Sequence, residues 1–231
     1  MIPLLIFILR ILLTESSTCS SEIDAWVNLV ADAARAMGWE VDMNQLYTTL
    51  FRKALEGKAD CDGIMAFNYF AGEPMTGIET GRPMLVRLPD SKLTIANLMR
   101  SQLNGAVITV KIGMDMLAKE EQVETDRLLG HGGFFKTAGG GQQILADALN
   151  VPITTMSTAG EGGPWGMALL AAYMVRKDEG ESLEDYLDKK VFTSADSSTL
   201  YPTIEGVAGF QSYLQRYKAC LRAEAAAADM V

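Results

Sequence analysis

One histidine, three cysteines and a deficit of basic side chains narrow the field before any motif is considered. A single imidazole cannot build a His-based metal site. Cys19, Cys61 and Cys220 are odd in number, far apart and without CxxC spacing, which fits a reducing cytosol and argues against a disulfide framework or a zinc site. Against 29 Asp and Glu stand 20 Lys and Arg, for a formal charge of −9. No broad basic surface is then available to neutralise a phosphate backbone, and nucleic acid is not an expected partner. A small anion is still accessible, because backbone N–H groups at a helix N-terminus bind phosphate without net positive charge.

Long hydrophobic runs are missing too. The opening MIPLLIFILRILL is too short to cross a bilayer and is interrupted by Arg10, so no membrane partner is expected. A secretory signal carries its positive charge ahead of the apolar stretch and a small-residue cleavage site behind it, and neither is clear here. The expectation is a buried strand in a cytoplasmic protein. Its abrupt start suggests that the chain begins inside a larger domain.

What is present is apolar material, 48% of 231 residues, enough for one large domain or two small ones with a real core. SSEIDAWVNLVADAARAMG predicts an amphipathic helix, with Ser21 and Asp24 at capping-box spacing and Gly38 as a stop. DMNQLYTTLFRKALEG predicts another, ending at Gly57. GIMAF reads as a short strand and AGEPMTGIETGRP as a loop with turns. KLTIANLMRSQLNGAVITVKIGMDMLAKEE predicts a long helix buried on much of its surface, its Met residues filling core. SLEDYLDKKVF and VAGFQSYLQRYKACLRAEAAAADMV predict a short helix and a long terminal one.

From Asp126 the order becomes informative: strand RLLG, glycine loop, helix GGQQILADALN, strand VPITTM, loop STAGEGGP, helix WGMALLAAYMVR. This is an α/β unit with glycine loops at the strand ends, where ligands usually sit. Neither loop has Walker A spacing or a GxGxxG, so the P-loop and Rossmann readings fail.

LLGHGG, QQILADALNVPI and GEGGPWGMALLAAYM, in that order, resemble the C-terminal half of the FGGY carbohydrate kinases, most of all xylulokinase-type members. The resemblance runs from about Cys19 to the C-terminus. It implies an α/β, ribonuclease-H-like (actin-type ATPase) lobe with a mixed sheet flanked by helices, and makes residues 1–231 one C-terminal nucleotide-binding domain. ATP and Mg are the implied cofactors. Gly130, Gly132 and Gly133 fall on the turn that contacts adenosine, where a missing Cβ lets the backbone approach the base or ribose. Gly139, Gly140 and Gly141 start the next helix, lining the ligand pocket or only allowing a sharp entry. Gly160, Gly162 and Gly163 match the family's second loop, as ligand contacts or close packing. Ser17, Thr18 and Ser20 lie where the family places a phosphate hairpin, although Ser20 and Ser21 serve equally as helix caps. His131 reads as a packed or hydrogen-bonding residue, not a general base.

The family's N-terminal half, with its first phosphate loop, most of the sugar site and the catalytic aspartate, has no counterpart in this sequence. Asp24, Asp62 and Glu73 sit in helix, turn and loop contexts where solvation or capping is the default, so no catalytic residue is assigned. The expected function is the ATP-binding lobe of a kinase for a sugar such as xylulose, inactive alone. Its partners are the sugar, held through a missing N-terminal lobe, and a second copy in a homodimer. The alternative is a non-catalytic α/β module for protein interaction or oligomerisation.

Overall fold

Ile23, Val27 and Ala31 recur every four residues, which puts them on one face of helix α1 (Cys19–Ala36), and all three are buried. The structure is a computed structural model and describes residues 19–120, 122, 124–157, 162–192 and 196–229; the N-terminal run expected to form a strand lies outside them. Cys19 and Ser20 are already helical, so Ser21 lies within α1 rather than at its cap. Asp24 turns instead to helix α2 (Met43–Leu55), accepting a hydrogen bond from Tyr47 Oη at 2.7 Å. Asp42 caps α2, its carboxylate accepting from the N–H groups of Asn44 and Gln45.

Strand β1 (Ile64–Phe67) is buried along its whole length and pairs antiparallel with β2 (Met84–Arg87). On its other edge the Ala66 N–H donates to Tyr213 Oη at 3.2 Å, and that hydroxyl lies 3.2 Å from Ser101 O. A tyrosine thus meets backbone groups that a third strand would otherwise satisfy. Helix α3 (Ile95–Glu120) crosses the same strand, and every residue from 97 to 109 is buried. A Cβ on Gly105 would lie 2.7 Å from Ala66 O, so glycine is what lets the helix sit directly on β1.

The second half follows the anticipated alternation: β3 (Leu128–Gly130), α4 (Gly140–Leu149), β4 (Ile153–Met156) and α5 (Gly162–Arg176). A short α6 (Leu183–Tyr186), strand β5 (Ser197–Leu200) and the long α7 (Ile204–Ala228) complete the described residues. The sheet order is β3-β4-β5, with β3 and β4 parallel and β5 antiparallel: a mixed sheet, as expected. Phe210, Tyr213, Leu214 and Tyr217 carry α7 into the main core, where Tyr217 stacks on Phe67 with ring centroids 4.4 Å apart. Helix α5, by contrast, leaves Met167, Leu170, Met174 and Val175 exposed. Among the described residues no helix is long and apolar enough to cross a membrane.

Candidate functional site

Parallel pairing brings the C-terminal ends of β3 and β4 side by side, with Gly130 opposite Thr155. Residues 131–139 lead from the first strand into α4. This turn and the N-terminus of α4 follow the C-terminal end of this parallel pair, the place where open α/β sheets bind ligands.

The glycines of this edge separate into two kinds. A Cβ on Gly130 would lie 2.6 Å from the Phe135 ring, and one on Gly141 would lie 2.4 Å from Phe134 O. On Gly140 it would press on Phe51 at 3.2 Å. These three make room for an aromatic cluster in which Phe134 meets Phe51 and Phe135 edge-on, with centroids 6.1 and 5.5 Å away. Gly132, Gly133 and Gly139 differ: a Cβ built on any of them meets no atom within 4 Å. Gly132 (φ 104°) and Gly139 (φ 79°) also hold the left-handed backbone that favours glycine. His131 beside them is exposed. Gly162 and Gly163 open helix α5. Ser17, Thr18 and Gly160 lie outside the described residues.

Beneath the glycine turn lies a polar framework that sequence reasoning missed. Gln142, in the first turn of α4 and 3% exposed, donates from Nε2 to Ile153 O at 2.8 Å and Ser198 O at 2.9 Å. Its Oε1 accepts from Thr155 Oγ1 at 3.2 Å. One turn on, the buried Asp147 Oδ1 accepts from Gln143 Nε2, Thr203 N and Thr203 Oγ1 at 2.9, 2.8 and 3.1 Å. Its other oxygen faces Arg100 Nη2 at 3.9 Å, and Arg100 Nη1 donates to Gly57 O at 3.1 Å. Helices α2, α3, α4 and α7 thus meet on one ion pair. A charged residue inside the apolar run ILADAL was the available signal, since such a residue is seldom buried without a partner.

A second buried polar cluster sits where α7 meets the loop after β1. Tyr217 Oη donates to Tyr69 Oη at 2.7 Å, and Glu224 Oε1 accepts from the Arg82 N–H at 2.8 Å. Burial pushes the Tyr69 hydroxyl up to about 12 and holds the Glu73 and Glu224 carboxyls above their ordinary value. Glu73, expected to be solvated or capping, is the latter: it is buried and its Oε1 accepts from the Met75 N–H at 3.0 Å. Asp62 pairs with Lys58 and accepts from the Lys92 N–H at 2.8 Å. Among the described residues no group of three or more His, Cys, Asp or Glu side chains is placed to hold a metal ion.

A β-α-β unit closed by an antiparallel strand, with a glycine turn leading from the first strand into the helix, has the fold class of the actin-like ATPases. The family model for the FGGY family of carbohydrate kinases, C-terminal domain, matches residues 10–175. The xylulose kinase of Haemophilus influenzae is 23% identical over 176 residues, which cover 76% of this chain and 33% of that protein. Among solved structures, the xylulose kinase from Rhodospirillum rubrum superposes with a TM-score of 0.62 at 18% identity, covering 87% of this chain and 38% of its own. Plasmodium falciparum glycerol kinase with ADP gives 0.58 at 15% identity, covering 86% of this chain and 37% of its own. The chain thus spans a third of the length of its curated relative. It belongs to the FGGY family of carbohydrate kinases and carries the family's C-terminal domain.

Proposed function

We propose that this chain is the nucleotide-holding part of a kinase that uses ATP with magnesium to phosphorylate a sugar such as xylulose. The observation that carries the reading is the open backbone at Gly132, Gly133 and Gly139, at the C-terminal end of a parallel strand pair. A surface without Cβ atoms lets a flat base or ribose approach to contact distance. The first turn of α4 follows directly, and the positive end of that helix's dipole favours the negative charge of a phosphate chain. Bound nucleotide supplies the phosphoryl group to be transferred. This chain binds and orients it, while Phe51, Phe134 and Phe135 hold the turn in shape from behind. The described residues offer no metal cluster of their own, so in this reading magnesium arrives on the phosphates of the nucleotide. Support for the acceptor comes from relatives described as xylulose kinases.

Calorimetric titration with ADP tests the reading. Gly133 lies outside the left-handed region, so Gly133→Val adds bulk to the open face without backbone strain. The expected result is an affinity loss on the order of tenfold with an unchanged melting temperature. Equal affinity for the two proteins overturns the assignment.

A further inference from the structure

The loop from β1 to β2, residues 68–83, is folded on itself. Glu73 and Ile78 exchange backbone hydrogen bonds at 2.6 and 3.2 Å around the turn Pro74–Thr76. A Cβ on Gly81 would lie 2.4 Å from Ala71 O, so backbone closes the neck of the loop against backbone. Two hydrogen bonds tie this unit to α7: near its start Tyr69 Oη accepts from Tyr217 Oη, and near its end the Arg82 N–H donates to Glu224 Oε1. The two ties differ in chemistry. Burial pushes the Tyr69 hydroxyl up to about 12 and that of Tyr217 well above the ordinary tyrosine value, so the first tie stays neutral wherever carboxyls titrate. Glu224 is 0% exposed, and among the described residues no group hydrogen-bonds its buried Oε2.

Such a carboxyl fits its place best with its proton on, because ionisation puts a charge in the interior with one oxygen lacking a donor. The ionisable groups that face it are Tyr69 and Arg82 from the loop and Tyr217 from its own helix. Arg82 is the cation among them, and its Nη1 donates to Gly81 O at 2.9 Å. Burial outweighs the Arg82 N–H bond and the pull of the guanidinium, and the carboxyl is raised above its ordinary value. We propose that Glu224 is a proton-dependent latch between α7 and the β1–β2 loop: protonated, it holds the Arg82 end of the loop against the helix, and ionised, it releases that end while the Tyr69–Tyr217 bond remains. Release brings water to Oε2, which supplies the missing donors. The closed state holds the proton more tightly than the open one, so closure is strongest below the open-state value and weakens as pH rises through the closed-state value. Glu73, raised by burial as well, bonds within the loop to the Met75 N–H, so its titration acts on the turn and not on the tie to α7.

Residue-resolved amide hydrogen exchange of the full chain, corrected for the intrinsic pH dependence of exchange, tests the latch between about pH 5 and about pH 8. Expected is a loss of protection at the Arg82 N–H as pH rises, while residues 97–109 of α3 keep theirs. Glu224→Gln keeps an acceptor and carries an amide donor in place of the acid hydroxyl, so Arg82 stays protected throughout. Glu73→Gln behaves as the unmodified chain does. Protection at Arg82 that is independent of pH in the unmodified chain overturns the proposal, and this arm stands if the glutamine variant does not fold. A parallel loss across residues 97–109 reports global unfolding and overturns it too. So does a pH dependence that survives in Glu224→Gln or vanishes in Glu73→Gln.

Discussion

Cys61 shows how closely single side chains are fitted in this protein. Its thiol is fully buried and accepts from Asn104 Nδ2 at 3.2 Å, and its backbone sits at φ 59° next to Asp62 at φ 52°. Asp60 stabilises the turn, its carboxylate accepting from the Asp62 N–H at 3.0 Å. Burial pushes the thiol well above the ordinary cysteine range, outweighing the opposing pull of Arg100. Reactivity follows thiolate fraction and exposure. Native thiol labelling read by mass spectrometry should modify the half-buried Cys220 and leave Cys61 untouched until the protein unfolds. Modification of Cys61 in the folded protein contradicts this packing. The glycines carry the same lesson. All were legible as a glycine-rich turn, but whether each is packed or open was decided by aromatic rings, one of them Phe51 from a helix about 90 positions upstream.

At the scale of elements, α7 is fastened along its length: by Thr203, which caps it and accepts from the Gly206 N–H at 3.0 Å, by Tyr213 and Tyr217 in the core, and by Glu224 near its end. The Glu224 fastening should depend on pH. Burial raises its carboxyl above the ordinary value, so the folded state holds the proton more tightly than the unfolded chain does. The resulting stability is fully present below the unfolded value and is lost as pH rises through the folded one. Gln at this position keeps an acceptor for the Arg82 N–H and does not titrate. The stability of the unmodified protein relative to Glu224→Gln should therefore improve as pH is lowered from about 7 to about 4. Urea midpoints at several pH values measure it, and a difference flat across that range rules out a raised carboxyl.

For the whole molecule, the decisive fact is that the chain spans 33% of the length of the Haemophilus influenzae xylulose kinase. Phosphoryl transfer requires donor and acceptor to be held in line, and positioning of this kind is worth roughly 7–11 kcal/mol of barrier. In the proposed reading this chain holds only the donor. Coupled measurement of ADP release over a panel of pentoses, polyols and hexoses should therefore show no sugar-dependent turnover by these 231 residues alone. Turnover is expected when an N-terminal lobe from a xylulokinase-like protein is supplied separately. Sugar-dependent release by the chain alone refutes the division of labour.

The sequence by itself determined α2, α3 and α4, the strand–loop–helix order after Asp126 and the location of the glycine turn. Helices depend on contacts within about four residues, and Asp42 and Gly38 mark ends that need no distant partner. Tertiary structure alone decided the rest. Strand β2 is only half-buried and β5 is the polar SSTL, so neither carries the alternation that marks a strand. Each forms because β1 or β4 offers a ladder, and β5 gains the Thr154–Thr199 hydroxyl contact at 2.8 Å and the Gln142 bond. Arg100 and Asp147 are 47 positions apart, and nothing local in either segment specifies their pairing. Periodicity reports which face of an element is apolar, whereas pairing, burial of charge and the open side of a turn depend on residues that only the folded chain brings together.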